Sequence, residues 1–275
     1  GVAYGNNNTP LPAQSQLVGG TDGVNLVPLL VDTEGRLVTS AITGFGADFT
    51  FGDITTSSLN RVVVRRTAYI EQTTDAQRSI ASSSVNDSSA GTGARTVRIR
   101  YLDSTGAGPF YETITLNGTS YVNTTATDIC FIEQVRVITA GATLSNVGTL
   151  TIKAATAGGG VTIGTILPTD NQTFWAHHYV PIGKVCNVTG ISLGHNGTTV
   201  GSGALLTLNV YYLAVANSSE IQLSDFVRLY GQSSTFSRSY ASPIKVTGPA
   251  RILTYLTPET TSTITYRAAF DYFEP

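Results

Sequence analysis

The chain has 275 residues and a formal net charge of −2, and only 12% of it is Asp, Glu, Lys or Arg, about half the roughly 25% usual for a soluble domain. With 41% hydrophobic residues it does not match a disordered chain, which combines low hydrophobicity with high charge. No run of 18 apolar residues marks a membrane-spanning helix, no basic-then-apolar leader opens the sequence, and the charge balance offers no cationic footprint for nucleic acid or anionic lipid. The expectation is a soluble protein with neither a nucleic acid nor a membrane as partner.

Hydroxyls take over the solvating role that charges usually play. Thr and Ser supply 65 residues, and Gly and Pro another 38. Among the cations, 13 are Arg and 3 are Lys; the planar Arg fork suits fixed contacts better than a free surface.

In chain order, residues 1–20 come first, with Asn6-Asn7-Asn8, Pro10 and Pro12. They cannot bury a core and read as an extended arm, whose Val2, Tyr4, Leu11 and Leu17 favour lying on a neighbouring subunit over lying in solvent. A turn at Asp32-Thr33-Glu34-Gly35 separates Leu26–Val31 from Arg36–Ile42 as a hairpin. Strands are predicted at Arg61–Tyr69 and Gln77–Ser84, then at Arg95–Leu102 and Phe110–Leu116 around the turn Asp103–Gly108. In the first strand of that hairpin, Val97, Ile99 and Tyr101 alternate with Thr96, Arg98 and Arg100. Further strands fall at Ile129–Thr139, Gly148–Ala154, Thr173–Pro181 and Val185–Leu193, and over Leu206, Leu208, Val210 and Tyr212. Pro243–Val246 and Arg251–Leu256 precede a half-buried strand through Ile264, Tyr266, Ala268, Phe270 and Tyr272. The stretches Val85–Ala94, Ala157–Gly160 and Gly194–Gly203 read as loops. One exception interrupts the period of two: Ser219 and Gln222 form a capping box that predicts a short helix over Ser219–Gly231.

The fold class that follows is all-β, an antiparallel sandwich or jelly roll. The predicted organisation is an arm at 1–20, a central sandwich at 76–216, and a flanking β unit built from 21–75 with 217–275.

The chemical inventory is thin. Cys130 and Cys186 match no metal spacing and read as buried small hydrophobes in a reducing compartment. Three histidines occur: His177, His178 and His195. His177 and His178 are adjacent on a strand, so they point to opposite faces, whereas a metal pair on a strand wants i, i+2. No nucleophile elbow, phosphate loop or zinc-protease motif is present, the 18 acids are scattered, and neither catalytic residues, a metal nor a cofactor is expected. Trp175, His177 and Tyr179 share one strand face as core, subunit interface or glycan contact. Arg95, Arg98 and Arg100 lie on one strand, either solvated or in ion pairs between subunits. Eight N-x-S/T sequons, from Asn7 to Asn217, follow from the Thr- and Ser-rich composition and carry no signal for glycosylation.

The stretch Val18-Gly19-Gly20-Thr21-Asp22-Gly23 through Asp32-Thr33-Glu34-Gly35-Arg36-Leu37 resembles an element near the N-terminus of tailed-bacteriophage virion proteins. Glu71–Leu102, with Ala76-Gln77-Arg78-Ser79-Ile80 and Ala90-Gly91-Thr92-Gly93-Ala94-Arg95, and Thr113–Thr119 are similar to the same group. The resemblance implies a non-enzymatic virion building block on the capsid exterior, the collar or the tail and fibre attachment. Its partners would be copies of itself, a trimer being favoured, and other virion proteins of the capsid, neck or tail. The alternative is a receptor-binding module that grips a host surface glycan. Few charges leave few means of blunting sheet edges, which favours edges covered by other chains.

Overall fold

The computed structural model describes residues 46–196, 204–212, 221–229, 235–259 and 262–274. The chain divides at Gly46, and the unit from Ala47 onward is the one described below. The expected arm and the hairpin at Leu26–Ile42 lie outside the described residues.

Alternating side chains build two sandwiches. In the first, β3 (Ser79–Ser82), β6 (Val122–Asn123), β8 (Leu150–Lys153) and β9 (Thr162–Ile166) form a sheet in the order β6-β3-β8-β9. Facing it is the sheet β5-β4-β7, made from β4 (Ala94–Leu102), β5 (Phe110–Thr115) and β7 (Phe131–Ala140). Val97, Ile99 and Tyr101 turn inward from β4 and meet Ile80, Leu150, Ile152 and Ile163 in one core. Arg98 and Arg100 take the opposite face, as the pleat requires.

The second sandwich also pairs two antiparallel sheets. One has the order β1-β16-β11-β14, from β1 (Gly46–Thr56), β11 (Val185–His195), β14 (Thr235–Thr247) and β16 (Ile264–Glu274). The other has the order β10-β15-β12-β13, from β10 (His177–Val180), β12 (Ala204–Tyr212), β13 (Ile221–Leu229) and β15 (Ala250–Pro258), with β2 (Val62–Val63) added on β15. Ile264, Tyr266, Ala268, Phe270 and Tyr272 are all buried in its core beside Leu193, Leu206 and Ile252. Each of the large aliphatic side chains and Phe270 contributes about 1.5–3 kcal/mol through burial.

Three expectations meet different outcomes. The helix expected at Ser219–Gly231 is overturned: Ile221–Leu229 is the strand β13, paired antiparallel with β12 from Val210↔Ile221 to Ala204↔Leu229. A capping box is worth about 1 kcal/mol, whereas a neighbouring ladder satisfies a whole row of backbone groups, and Ile221, Leu223, Val227 and Leu229 already have the strand's parity. The strands expected within 76–216 divide between the two sandwiches. Those up to Ile166 pair within the first, while β10, β11 and β12 pair with β14, β15 and β16. β1 and β9 carry no clean alternation and were not expected as strands. Gly52 of β1 is there for close approach: a Cβ would stand 2.6 Å from Ala176 N and 2.7 Å from Val64 O.

Edge protection is built into β14. Between Val188↔Ile244 and Gly190↔Ser239 its register slips around a bulge that contains Pro243, and a bulge with a proline discourages further strand addition. Among the described residues no helix is long and apolar enough to cross a membrane.

Candidate functional site

Two short segments carry the chain between the sandwiches, and they run side by side. Val64 and Ala176 belong to the second core, Tyr69 and Trp175 to the first. Ala176 N donates to Val64 O at 3.0 Å, and Arg66 N to Phe174 O at 3.0 Å. Arg66 clamps the crossing with a forked contact to Asp53 of β1, Nε to Oδ1 at 2.7 Å and Nη2 to Oδ2 at 2.8 Å, and reaches Asp170 of the first sandwich with Nη1. Hydrogen bonding to Asp53 raises the Arg66 pKa above its ordinary value.

On one side of β10 lies an aromatic column. His177 stands 5.1 Å from Tyr69, 5.5 Å from Trp175 and 5.2 Å from Tyr179 between ring centroids, and Phe131 stacks on Tyr179 at 5.3 Å. Trp175, His177 and Tyr179 thus share a face, and that face is interior: Trp175 is only 2% exposed and the other two are fully buried. All three are buried in the interior, and Trp175 also lines the cleft described below. Arg65 Nη2 lies 2.9 Å from His177 Nδ1, which makes Nδ1 the acceptor, and His177 Nε2–H donates to Glu133 O at 3.0 Å. Burial, then the Arg65 charge, push the His177 pKa well below its ordinary value, so this ring is neutral.

The other side of β10 carries the opposite charge state. His178 Nδ1 donates to Glu133 Oε1, and Nε2 to Glu274 Oε1 at 2.8 Å. The ring is fully buried and stacks on Tyr272 at 4.1 Å. Burial alone would keep it neutral, but the Glu133 charge, Tyr272 and the Cys186 and Glu133 side-chain contacts outweigh burial and hold its pKa well above the ordinary value. Glu133 Oε2 is also 3.0 Å from Arg100 Nε. Arg100 therefore has its carboxylate within the chain, where an inter-subunit pair was one expectation. Arg95 Nε donates to Gly91 O at 3.1 Å. Cys130 and Cys186 are free, buried thiols; burial pushes Cys130 up to about 12 and raises Cys186. His195 lies apart from this junction, 5.9 Å from the ring of Tyr266.

Outside the junction, a cleft of about 490 Å³ opens between the outer face of the β5-β4-β7 sheet and the β1–β16 side of the second sandwich. Arg98, Arg100, Arg136, Tyr111, Gln134 and Gln172 line it, together with Glu133. Arg98 and Arg136 are directly opposite each other in the β4–β7 ladder, a placement of like charges that costs stability. Among the described residues neither pairs with a carboxylate; Arg98 lies over the Tyr111 ring at 5.2 Å, and Tyr111 is 55% exposed.

A third feature is the loop end of the first sandwich. The fully buried Asp87 accepts hydrogen bonds from Ala94 N (2.7 Å), Val147 N (2.9 Å), Gly148 N (2.8 Å) and Ser82 Oγ (2.6 Å). Asn146 adds Nδ2 to Gly148 O at 2.7 Å and to Leu167 O at 2.8 Å, and its Oδ1 accepts from Asn171 N at 3.0 Å. These loops, tied from within, present Val85 at 70% and Leu144 at 80% exposure, Leu144 with φ +56°.

Sequence reading found the histidines but not their partners. Glu133, Glu274, Arg65 and Asp87 stood among scattered charges with no spacing to join them, because their partners arrive from other strands. No protein-family model matches the chain, and no curated protein matches it significantly.

Proposed function

We propose that this protein is a non-enzymatic structural component of a tailed-phage virion, homo-oligomeric with a trimer favoured, on the capsid exterior, the collar or the tail and fibre attachment. The observation that carries the reading is the rigid apolar loop end. A bulky residue in the left-handed region costs roughly 1–2 kcal/mol, and exposing it as well forgoes the gain of burying it. Leu144 bears both costs on loops that Asp87 and Asn146 hold fixed, an arrangement suited to docking against another protein surface. The sparse charge of the chain and its resemblance to virion proteins add support.

Light scattering coupled to size exclusion tests this reading on the full chain. The expected result is an oligomer at micromolar concentration, weakened by Leu144→Asp with the fold intact by circular dichroism. A monomer that also ignores purified capsids and tails overturns it.

A second reading, a module that binds host glycans, is favoured by one specific observation, the Arg98–Arg136 opposition beside the exposed Tyr111 in an open cleft. The fitting ligand is an acidic saccharide, whose carboxylate or phosphate would take the guanidinium forks while its ring uses Tyr111. Titration with acidic and neutral oligosaccharides should show binding of the acidic class, lost in Arg98→Ala; equal or absent binding of both classes removes the reading.

A further inference from the structure

We propose that His178, Cys186 and Glu274 form a binding site for a divalent transition-metal ion, with zinc the best fit. A ring nitrogen of His178, Cys186 Sγ and a Glu274 carboxylate oxygen lie within 4.8 Å of one another, the span of donors around one ion, and they are the one such group among the described residues. They come from β10, β11 and β16 and so from both sheets of the second sandwich. An imidazole, a thiolate and a carboxylate together match the borderline softness of zinc, whose bonds to N, S and O run at about 2.0–2.3 Å.

The surroundings of His178 are those of a metal-bound histidine. A ligating imidazole gives its other N–H to a carboxylate that fixes its orientation, and Glu133 takes that place at Nδ1, held in turn by Arg100. Nε2 faces Glu274 at 2.8 Å, with Cys186 also in contact with the ring. The Tyr272 ring stacks on the imidazole and holds its plane. Access comes from the Glu274 end, where that side chain is 20% exposed, and a water would complete four-coordination there.

Charge balances across the exchange. In the metal-free chain protons occupy His178 Nε2 and Cys186 Sγ; one Zn²⁺ enters as these two protons leave, so the net charge of the buried group is unchanged. Bound there, the ion would tie the second sandwich's two sheets to each other and, through Glu133, to the first sandwich. It adds no step to either functional reading above and stands or falls apart from them.

The test uses the untagged full chain, stripped with chelator, reloaded with Zn²⁺ and exchanged into metal-free buffer before elemental analysis. One zinc per chain is expected, and Co²⁺ in its place should give a thiolate-to-cobalt charge-transfer band. Cys186→Ser should abolish that band, and Glu274→Gln should weaken zinc binding at least tenfold, while Cys130→Ser keeps both. Should Cys186→Ser fail to fold by circular dichroism, Glu274→Gln at the solvent edge decides. Wild-type chain that retains no zinc, or folded variants that bind it as well as wild type, overturns the proposal.

Discussion

Asp87 and Glu133 are both buried carboxylates of the first sandwich, and they are stabilised by opposite means. Asp87 is surrounded by three backbone N–H groups and one hydroxyl, all neutral and all at one end of the sandwich, two from the loop at Val147 and Gly148 and two from the strand ends at Ser82 and Ala94. Glu133 is met by a guanidinium from β4 and an imidazolium from β10 of the other sandwich. Loops can wrap an anion with dipoles because their backbone groups are not committed to ladders. At the junction Glu133 sits where the β4–β7 register slips, and the groups that reach its carboxylate are the side chains of Arg100 and His178, so the charge is answered by charges.

That contrast can be broken most forcefully at Glu133. Glu133→Ala leaves the guanidinium and the imidazole facing each other without their anion and should cost about 3–5 kcal/mol, read as a lowered urea midpoint; a loss below 1 kcal/mol would show that the junction relaxes freely. Asp87→Asn keeps the shape but turns an amide donor toward N–H donors, and about 2–3 kcal/mol should be lost, with hydrogen exchange rising first in residues 83–93 and 141–149.

Alkaline pH separates the junction from the loop end without mutation. Burial raises the Cys130 thiol from 9.0 to about 12 and raises the phenols of Tyr69 and Tyr101 as well. Groups with a raised folded-state pKa keep their full stabilising contribution below their unfolded-state pKa and lose it as pH climbs toward the folded value. Stability should therefore hold to about pH 9 and fall between there and about 12, and Cys130→Ala should soften the fall; a flat profile across that window would contradict the burial argument. The smallest effect is expected at Leu144. Leu144→Gly removes the left-handed strain and should raise stability by up to about 1 kcal/mol while lowering oligomer affinity, the two changes moving in opposite directions.

Much of the fold was legible because a strand with one buried face writes itself in a period of two. Val97-Ile99-Tyr101 and Ile264 through Tyr272 lie inward as their alternation demands. Legibility failed where the period was masked or borrowed. β1 is glycine-interrupted because its backbone presses on Ala176 and Val64, and β13 took its state from β12 against a local helix signal. Arg98 and Arg100 were singled out correctly as one face of one strand, but what they meet there, Arg136 and Glu133, comes from β7.

The sequence by itself determined the class of the protein: sheets, buried thiols, and a surface kept wet by hydroxyls, since these depend on composition and on contacts a few residues long. Tertiary structure alone decided where the chain changes sandwich, between Val64 and Tyr69 and again between Trp175 and Ala176. It also decided that two adjacent histidines hold opposite charge states and that His178, Cys186 and Glu274 converge. Those outcomes rest on pairings between residues 8 to 112 positions apart, and separations of that kind leave no periodic trace along a chain.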